Sequence, residues 1–320
     1  MKVLIGANPM GLEKGIPALQ AKYPDIEFAF CPVREETAAA IADAEIYMGW
    51  MNRDLFLAGK KLRWVQSPSS GINYYLAIPE FVTSAVLLTS ASGTHGACLS
   101  ESCFGMIFAF TRQLKACIVA QPKHQWVARE TRSKAVELTG STMGIIGFGR
   151  VGRALAKRAV AFDLRVIAVD MFPTNKPEGV AELWGLDRLN ELLKQSDFVV
   201  VTVPYTPDTD HMIGAEQIAL MKPTAMLLGI SRGHIIDEAA LAAALKSGKL
   251  YAAGLDVFAQ EPLPPESPLW DIENLVIMPH IAGGTQLEGQ YVLEIFYENL
   301  DRFLNGSLPL RNQIDKVRGF

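Results

Sequence analysis

The sequence predicts an α/β protein with two doubly wound parallel-sheet domains, one inserted in the other. Short apolar and β-branched runs alternate with helical patterns from end to end, which favours parallel sheets wrapped in helices over an all-β or bundle fold. The 320 residues, 49% of them hydrophobic, suffice for two packed cores. A glycine-rich strand-to-helix turn comes only after about 140 residues, so a second sheet opens in mid-chain.

Residues 2–6, 26–30, 45–48, 63–66 and 85–89 read as the strands of a first unit. Residues 96–114 are apolar on most of a helix's circumference, as in a helix buried on several sides between domains or subunits. From 115 to 139 the chain turns polar, with Lys115, Lys123, His124, Arg129, Arg132 and Lys134, and an extended arm is expected. A second series runs through 142–147, 165–170, 198–203, 225–230, 251–256 and 275–278, and six strands complete a dinucleotide-binding sheet. The last helix, 285–304, turns Leu287, Tyr291, Ile295 and Leu300 to one side, and the polar tail after Pro309 is expected to return to the first unit. The expected domains are therefore 1–95 plus 287–320, discontinuous, and 96–286.

Charge and cysteines narrow the class. A net charge of −4, with 30 basic residues dispersed among 34 acidic ones, leaves no footprint for nucleic acid. Cys31, Cys98, Cys103 and Cys117 show no metal-ligand spacing, so no metal is expected and the thiols read as apolar fillers in a reducing compartment. "MKVLIGA" is too short for a signal sequence and no window approaches a membrane span, so the expectation is a cytoplasmic protein with no membrane partner.

"MGIIGFGRVG" places Gly147, Gly149 and Gly152 as G-x-G-x-x-G after a strand and at the start of a helix, with Arg150 and Val151 inside the turn. The first glycine permits the tight turn, the second lets a pyrophosphate approach the backbone, and the third lets helix pack on strand. The free N–H groups of that helix start favour the anion. The next strand ends at Asp170, 18 residues past Gly152, where a carboxylate accepts from ribose hydroxyls and repels a 2′-phosphate. Met171 is neutral and the next basic residue is Lys176. The second domain thus reads as a Rossmann domain for NAD, with NADP disfavoured.

Three later segments fall at strand ends, on the carboxyl edge where open α/β sheets bind ligands. "ISRG" supplies Arg232, "LDVFAQEP" supplies Asp256 and Glu261, and "MPH" supplies His280. Each alone has an ordinary structural use: a surface pair, a solvated charge, a histidine satisfied by a carbonyl. Together they offer a guanidinium for a carboxylate, an imidazole to move a proton, and a carboxylate to orient it. Hydride transfer to a 2-keto acid needs little more, because the nicotinamide carries the redox chemistry.

"GFGRVG", "VPYTPDT" at 203–209, "SRGHIIDEAALAAALKSGKLYAAGLDVFAQEPL" at 231–263 and "PHIAGGT" at 279–285 resemble the D-isomer-specific 2-hydroxyacid dehydrogenases, over nearly the whole chain and with glyoxylate/hydroxypyruvate reductases as the nearest type. The resemblance implies a catalytic Arg232, Glu261 and His280, and a flavodoxin-like substrate domain around the Rossmann insert. It implies that Asp256 meets the nicotinamide carboxamide, and that Val203, Pro204, Thr209, Ile230, Ser231, Arg232, His280 and Gly283 join the glycine loop around the cofactor. Backbone N–H groups near Ser70 and Gly71 would bind the substrate carboxylate beside Arg232, and His280 would face the keto group. Trp50, with Met51, is a candidate for the substrate's side group, and Trp126 for a neighbouring subunit's pocket in a homodimer. Two positions depart from the family pattern: Gly229 stands where asparagine is usual, and Asn73 where an acidic residue is common. Glu261 argues against the formate dehydrogenases of the same fold, which carry glutamine there. An NAD(H)-sensing interaction protein of the same fold is the remaining alternative.

Overall fold

A computed structural model describes residues 1–319. They form two compact units, residues 1–95 with 285–319, and residues 96–284.

The first unit holds five parallel strands, β1 (Lys2–Ile5), β2 (Glu27–Phe30), β3 (Ile46–Met48), β4 (Trp64–Gln66) and β5 (Leu87–Thr89), in the order β2-β1-β3-β4-β5. That is the flavodoxin-like order. Val3, Leu4, Ile5, Ile46 and Trp64 are buried because helices cover both faces of a parallel sheet. The helix Glu288–Leu304 belongs to this unit and packs Phe296 on Trp64, ring centroids 5.1 Å apart. It starts three residues later than expected, and its inner face is Val292, Ile295, Phe296 and Leu300; Leu287 is exposed and Tyr291 half-buried.

The second unit holds seven strands, one more than expected: β6 (Thr142–Ile146), β7 (Arg165–Asp170), β8 (Val180–Gly185), β9 (Phe198–Val201), β10 (Met226–Gly229), β11 (Ala252–Leu255) and β12 (Leu275–Ile277). The order β12-β11-β10-β9-β6-β7-β8 is the Rossmann order with one further strand at the β12 edge. The strand absent from the sequence reading is β8, "VAELWG". It is an edge strand in which only Val180 is fully buried, so it lacks the apolar run that marks a central parallel strand. At the opposite edge β12 is also only partly buried, and Pro279 just beyond it removes no ladder bond from a central position.

The apolar stretch 96–114 is not one helix. The helix Gly96–Thr111 stops, Gln113 turns left-handed at φ 57°, and a second helix runs Leu114–Ala120. The expected extended arm is partly helical as well, with a 3-10 turn at Gln121–Lys123 and a helix at Ala128–Arg132. Lys123, Arg129 and Arg132 occupy exposed positions of those short helices. No single described helix is long and apolar enough to cross a membrane.

Candidate active site

The glycine loop follows β6. Gly147 has φ +93°, and a side chain there would also strike the N and Cγ1 of Val203 at 2.8 Å. Gly152 sits where a Cβ would lie 2.4 Å from the Gly147 carbonyl oxygen, which lets the helix Arg150–Ala161 close onto the strand. Gly149 faces open space, with nothing within 4 Å of the added carbon. Two glycines are thus demanded by packing and one leaves the helix N-terminus open to an anion. Thr202 Oγ1 donates to the Gly147 carbonyl at 2.6 Å and steadies the turn.

Asp170, at the end of β7, does more than face outward. Its Oδ2 accepts from Phe148 N at 2.6 Å and its Oδ1 from Phe172 N at 2.8 Å, so the carboxylate ties the glycine loop to the turn after β7. A carboxylate has lone pairs to spare for a further donor. The neighbouring cations are otherwise engaged: Arg153 donates to the carbonyls of Thr174 and Asn175, and Lys176 to that of Ala181. In the 203–209 loop, Val203 is buried, and Thr209 Oγ1 donates to the Pro204 carbonyl and accepts from Thr206 N, both at 2.8 Å.

At the end of β10, Gly229 is explained by its surroundings. A Cβ there would lie 2.9 Å from both Ile236 Cδ1 and Leu255 Cδ2, so apolar packing replaces the usual asparagine. Ile230 is buried, and the buried Ser231 Oγ has no hydrogen-bond partner among the described residues, an orphan hydroxyl in the stretch expected to line the cofactor. Arg232 Nη1 donates to the Ser231 carbonyl at 2.6 Å. Gly233 lies so close to the Phe258 carbonyl oxygen that an added Cβ would stand 1.9 Å from it, so the arginine loop abuts the 256–261 loop backbone to backbone.

That second loop carries both acids. Asp256 is buried at the end of β11, and its Oδ1 accepts from Ile281 N at 2.8 Å and Ala282 N at 3.0 Å. Burial raises its pKa, and the two N–H donors and His280 pull the other way. Glu261 Oε1 accepts from Phe258 N at 2.9 Å, and its Oε2 lies 2.6 Å from His280 Nδ1. His280 has φ +54°, its N–H donates to Met278 O at 3.0 Å, and its side chain is 47% exposed. The 280–282 turn is therefore held from beneath by Asp256 and from the side by Glu261, while Cys98 and Ser102 donate to the carbonyls of Gly283 and Ala282. With Nδ1 directed at Glu261, Nε2 is the ring nitrogen left for a ligand.

The first unit carries the remaining candidates. Ser70 Oγ lies 2.9 Å from His95 Nδ1, and His95 Nε2 lies 3.1 Å from Glu288 Oε1. Gly71 O accepts from Ser69 Oγ at 3.1 Å. The loop at 67–71 is thus tethered through a buried histidine to the first turn of the last helix. Sequence reasoning missed His95 and Glu288, which lie 193 positions apart with no motif to join them. Trp50 lines a cavity of about 580 Å³ with Ala7, Arg34, Thr37, Tyr47 and Asn52. Met51 instead is buried in the core, and Asn73 merely opens the short helix Asn73–Leu76. Trp126, in the second unit, is 94% exposed.

The family model for the NAD-binding domain of D-isomer specific 2-hydroxyacid dehydrogenases matches residues 104–282, more than half of the chain. The chain belongs to the D-isomer-specific 2-hydroxyacid dehydrogenase family. Among these oxidoreductases it is 34% identical to a glyoxylate reductase of Korarchaeum cryptofilum over 84% of this chain and 82% of that one. It is 33% identical to a D-3-phosphoglycerate dehydrogenase of Methanocaldococcus jannaschii over 89% of its own length, and spans about half (54%) of that protein. Its fold matches a crystal structure of a family protein from Aeromonas salmonicida, with TM-score 0.88, 30% identity and 98% of each chain covered. It also matches an NADPH-dependent glyoxylate/hydroxypyruvate reductase from Sinorhizobium meliloti in complex with NADP and sulfate, with TM-score 0.84, 28% identity and 100% of each chain covered.

Proposed function

We propose that this protein reduces a small 2-keto acid to the D-2-hydroxy acid with NADH, and runs the reverse oxidation with NAD. The 2.6 Å contact between Glu261 Oε2 and His280 Nδ1 is the observation that carries the reading. A carboxylate on Nδ1 orients the imidazole, so that Nε2 is the ring nitrogen that passes a proton to the developing alkoxide. When bound, the nicotinamide supplies or accepts the hydride. Arg232 orients the keto acid by its carboxylate. In the other unit, His95 holds Ser70 in place.

The glycine loop fits a dinucleotide: Gly149 leaves the helix N-terminus open, and Ser231 offers a buried hydroxyl lacking a partner among the described residues. Asp170 disfavours a 2′-phosphate by charge, and its neighbours Arg153 and Lys176 are engaged by carbonyls, so the preferred cofactor is NAD although the Sinorhizobium relative uses NADPH. Glu261 keeps a proton relay in place, which distinguishes the reading from a formate dehydrogenase, whose product carries no alkoxide. A homodimer is the proposed assembly.

The test is a spectrophotometric panel of 2-keto acids, glyoxylate and hydroxypyruvate among them, run with NADH and NADPH in parallel. Turnover with at least one acid, faster at limiting NADH than at limiting NADPH, is expected. Tight NADH binding with no turnover across the panel would instead identify a nucleotide-sensing interaction protein.

A further inference from the structure

Next in sequence to Thr209, and two residues beyond Arg232, the second unit carries a cluster that the proposed reaction does not use. Asp210, His211 and His234 are all exposed, and one donor atom from each lies within 4.8 Å of the others. Asp210 Oδ2 and His211 Nδ1 are 3.4 Å apart. The two imidazoles meet nearly edge to face, centroids 6.4 Å apart at 69°, and the Tyr205 ring backs His234 at 5.8 Å.

The backbone beneath these side chains is tied by hydrogen bonds. His211 N–H donates to the His234 carbonyl at 2.7 Å, Ile213 N–H to Ile235 O at 3.0 Å, and Asp237 N–H to Ile213 O at 3.0 Å. Ile213 and Ile236 form an isolated parallel bridge, and Ile213, Ile235 and Ile236 are buried under it. Both histidines are held at positive φ, 49° and 65°, which fixes the direction of each Cα–Cβ bond. Two imidazoles from separate, hydrogen-bonded segments are therefore presented side by side, with a carboxylate adjacent.

Two imidazoles and one carboxylate suit a borderline divalent ion such as zinc, whereas magnesium and calcium favour all-oxygen shells. Ligands at zinc–nitrogen distance in a tetrahedral shell stand about 3.3 Å apart. The Asp210–His211 pair already has that spacing, and a side-chain rotation of the exposed His234 would have to close the remaining distance. We propose that Asp210, His211 and His234 form a surface site for a divalent transition-metal ion of the zinc type, with a fourth position left to water. Filling it would cross-link the segment after β9 to the segment after β10. The inference is independent of the reductase reading, because its readouts are metal uptake and thermal stability.

Full-length, metal-stripped protein is titrated with zinc chloride by equilibrium dialysis and calorimetry, with Tm followed in parallel. Uptake of one zinc per chain and a Tm that climbs with zinc concentration are expected, since a ligand that binds only the folded state stabilises it. His211→Asn and His234→Asn remove a ligand and keep a residue at ease with positive φ. Each should weaken zinc at least about tenfold, the loss seen when even an outer-sphere partner is removed. Cobalt(II) added to wild-type protein gives a reading that needs no variant: visible bands without a sulfur charge-transfer band support the site. Absence of zinc uptake, unchanged uptake in both variants, or loss of uptake in Cys117→Ser instead would overturn it.

Discussion

His280 combines a positive φ, a half-exposed ring and a carboxylate on one nitrogen, a costly arrangement for a residue that only fills space. If it moves the proton, His280→Ala lowers kcat by about two orders of magnitude or more, the usual scale for a general acid–base group. NADH affinity, read by fluorescence quenching, should stay near wild type. Glu261→Gln keeps the shape and removes the charge, so its loss should fall mainly in kcat as well. Near-native turnover in His280→Ala would remove the assignment. At Asp170 the stakes are different, because the carboxylate both holds Phe148 N and sets the charge at the end of β7. Asp170→Ala should raise KM for NADH through the loosened loop and lower the discrimination against NADPH. An unchanged NADH-to-NADPH ratio of kcat/KM would show that selectivity lies elsewhere. The glycine turn of Gly147, Gly149 and Gly152 and the pairing of Glu261 with His280 were legible because each local motif carries its own chemistry. His95 and Glu288 were not, since their contact joins two ends of a discontinuous unit.

Elements were legible in proportion to burial. The central strands β6, β9 and β10 are buried at every position and stand out as apolar runs, whereas β8 is only partly buried, is interrupted by Glu182, and was invisible. The break at Gln113 was hidden for a related reason: apolar composition continues across it while the backbone turns. Charge also acts between elements. The helix Ile16–Lys22 is tied to the helix Glu288–Leu304 through Asp301, which accepts from Lys22 Nζ at 2.7 Å and from Tyr23 OH at 2.5 Å. The hydrogen bond from Lys22, then that from Tyr23, holds the Asp301 carboxyl below its ordinary value of 3.8. A depressed carboxylate stabilises the fold above its unfolded pKa and loses that contribution as pH falls through the folded one. Asp301→Asn should therefore lower stability at neutral pH by about 0.2–1 kcal/mol, the range for a solvent-exposed pair. The difference from wild type should close as pH falls below 3.8, measured by urea unfolding at a series of pH values. A gap that persists or widens in acid would assign the effect to packing.

At the scale of the whole chain, the two units differ in how they are written into the sequence. Gly96–Gly284 is continuous, and its sheet has buried clusters on both faces drawn entirely from within that span. The other unit is split, and one of its two clusters joins Val3, Ile5, Ile46 and Trp64 to Val292, Phe296, Leu300 and Leu310 from the far end of the chain. The helix that carries Val292, Phe296 and Leu300 also covers Trp64, so residues 1–95 alone would leave that face of the five-stranded sheet bare. Burial of a large apolar side chain is worth about 1.5–3 kcal/mol, and the loss of four such partners exceeds the net stability of many small domains. A fragment of residues 96–284 should therefore unfold cooperatively and bind NADH, whereas a fragment of residues 1–95 should show no cooperative thermal transition. Adding residues 285–320 to 1–95 through a short flexible linker should restore one. Calorimetry on the three fragments decides the matter: a cooperative transition in 1–95 alone would mean that the C-terminal helix is an accessory to that fold rather than part of its core.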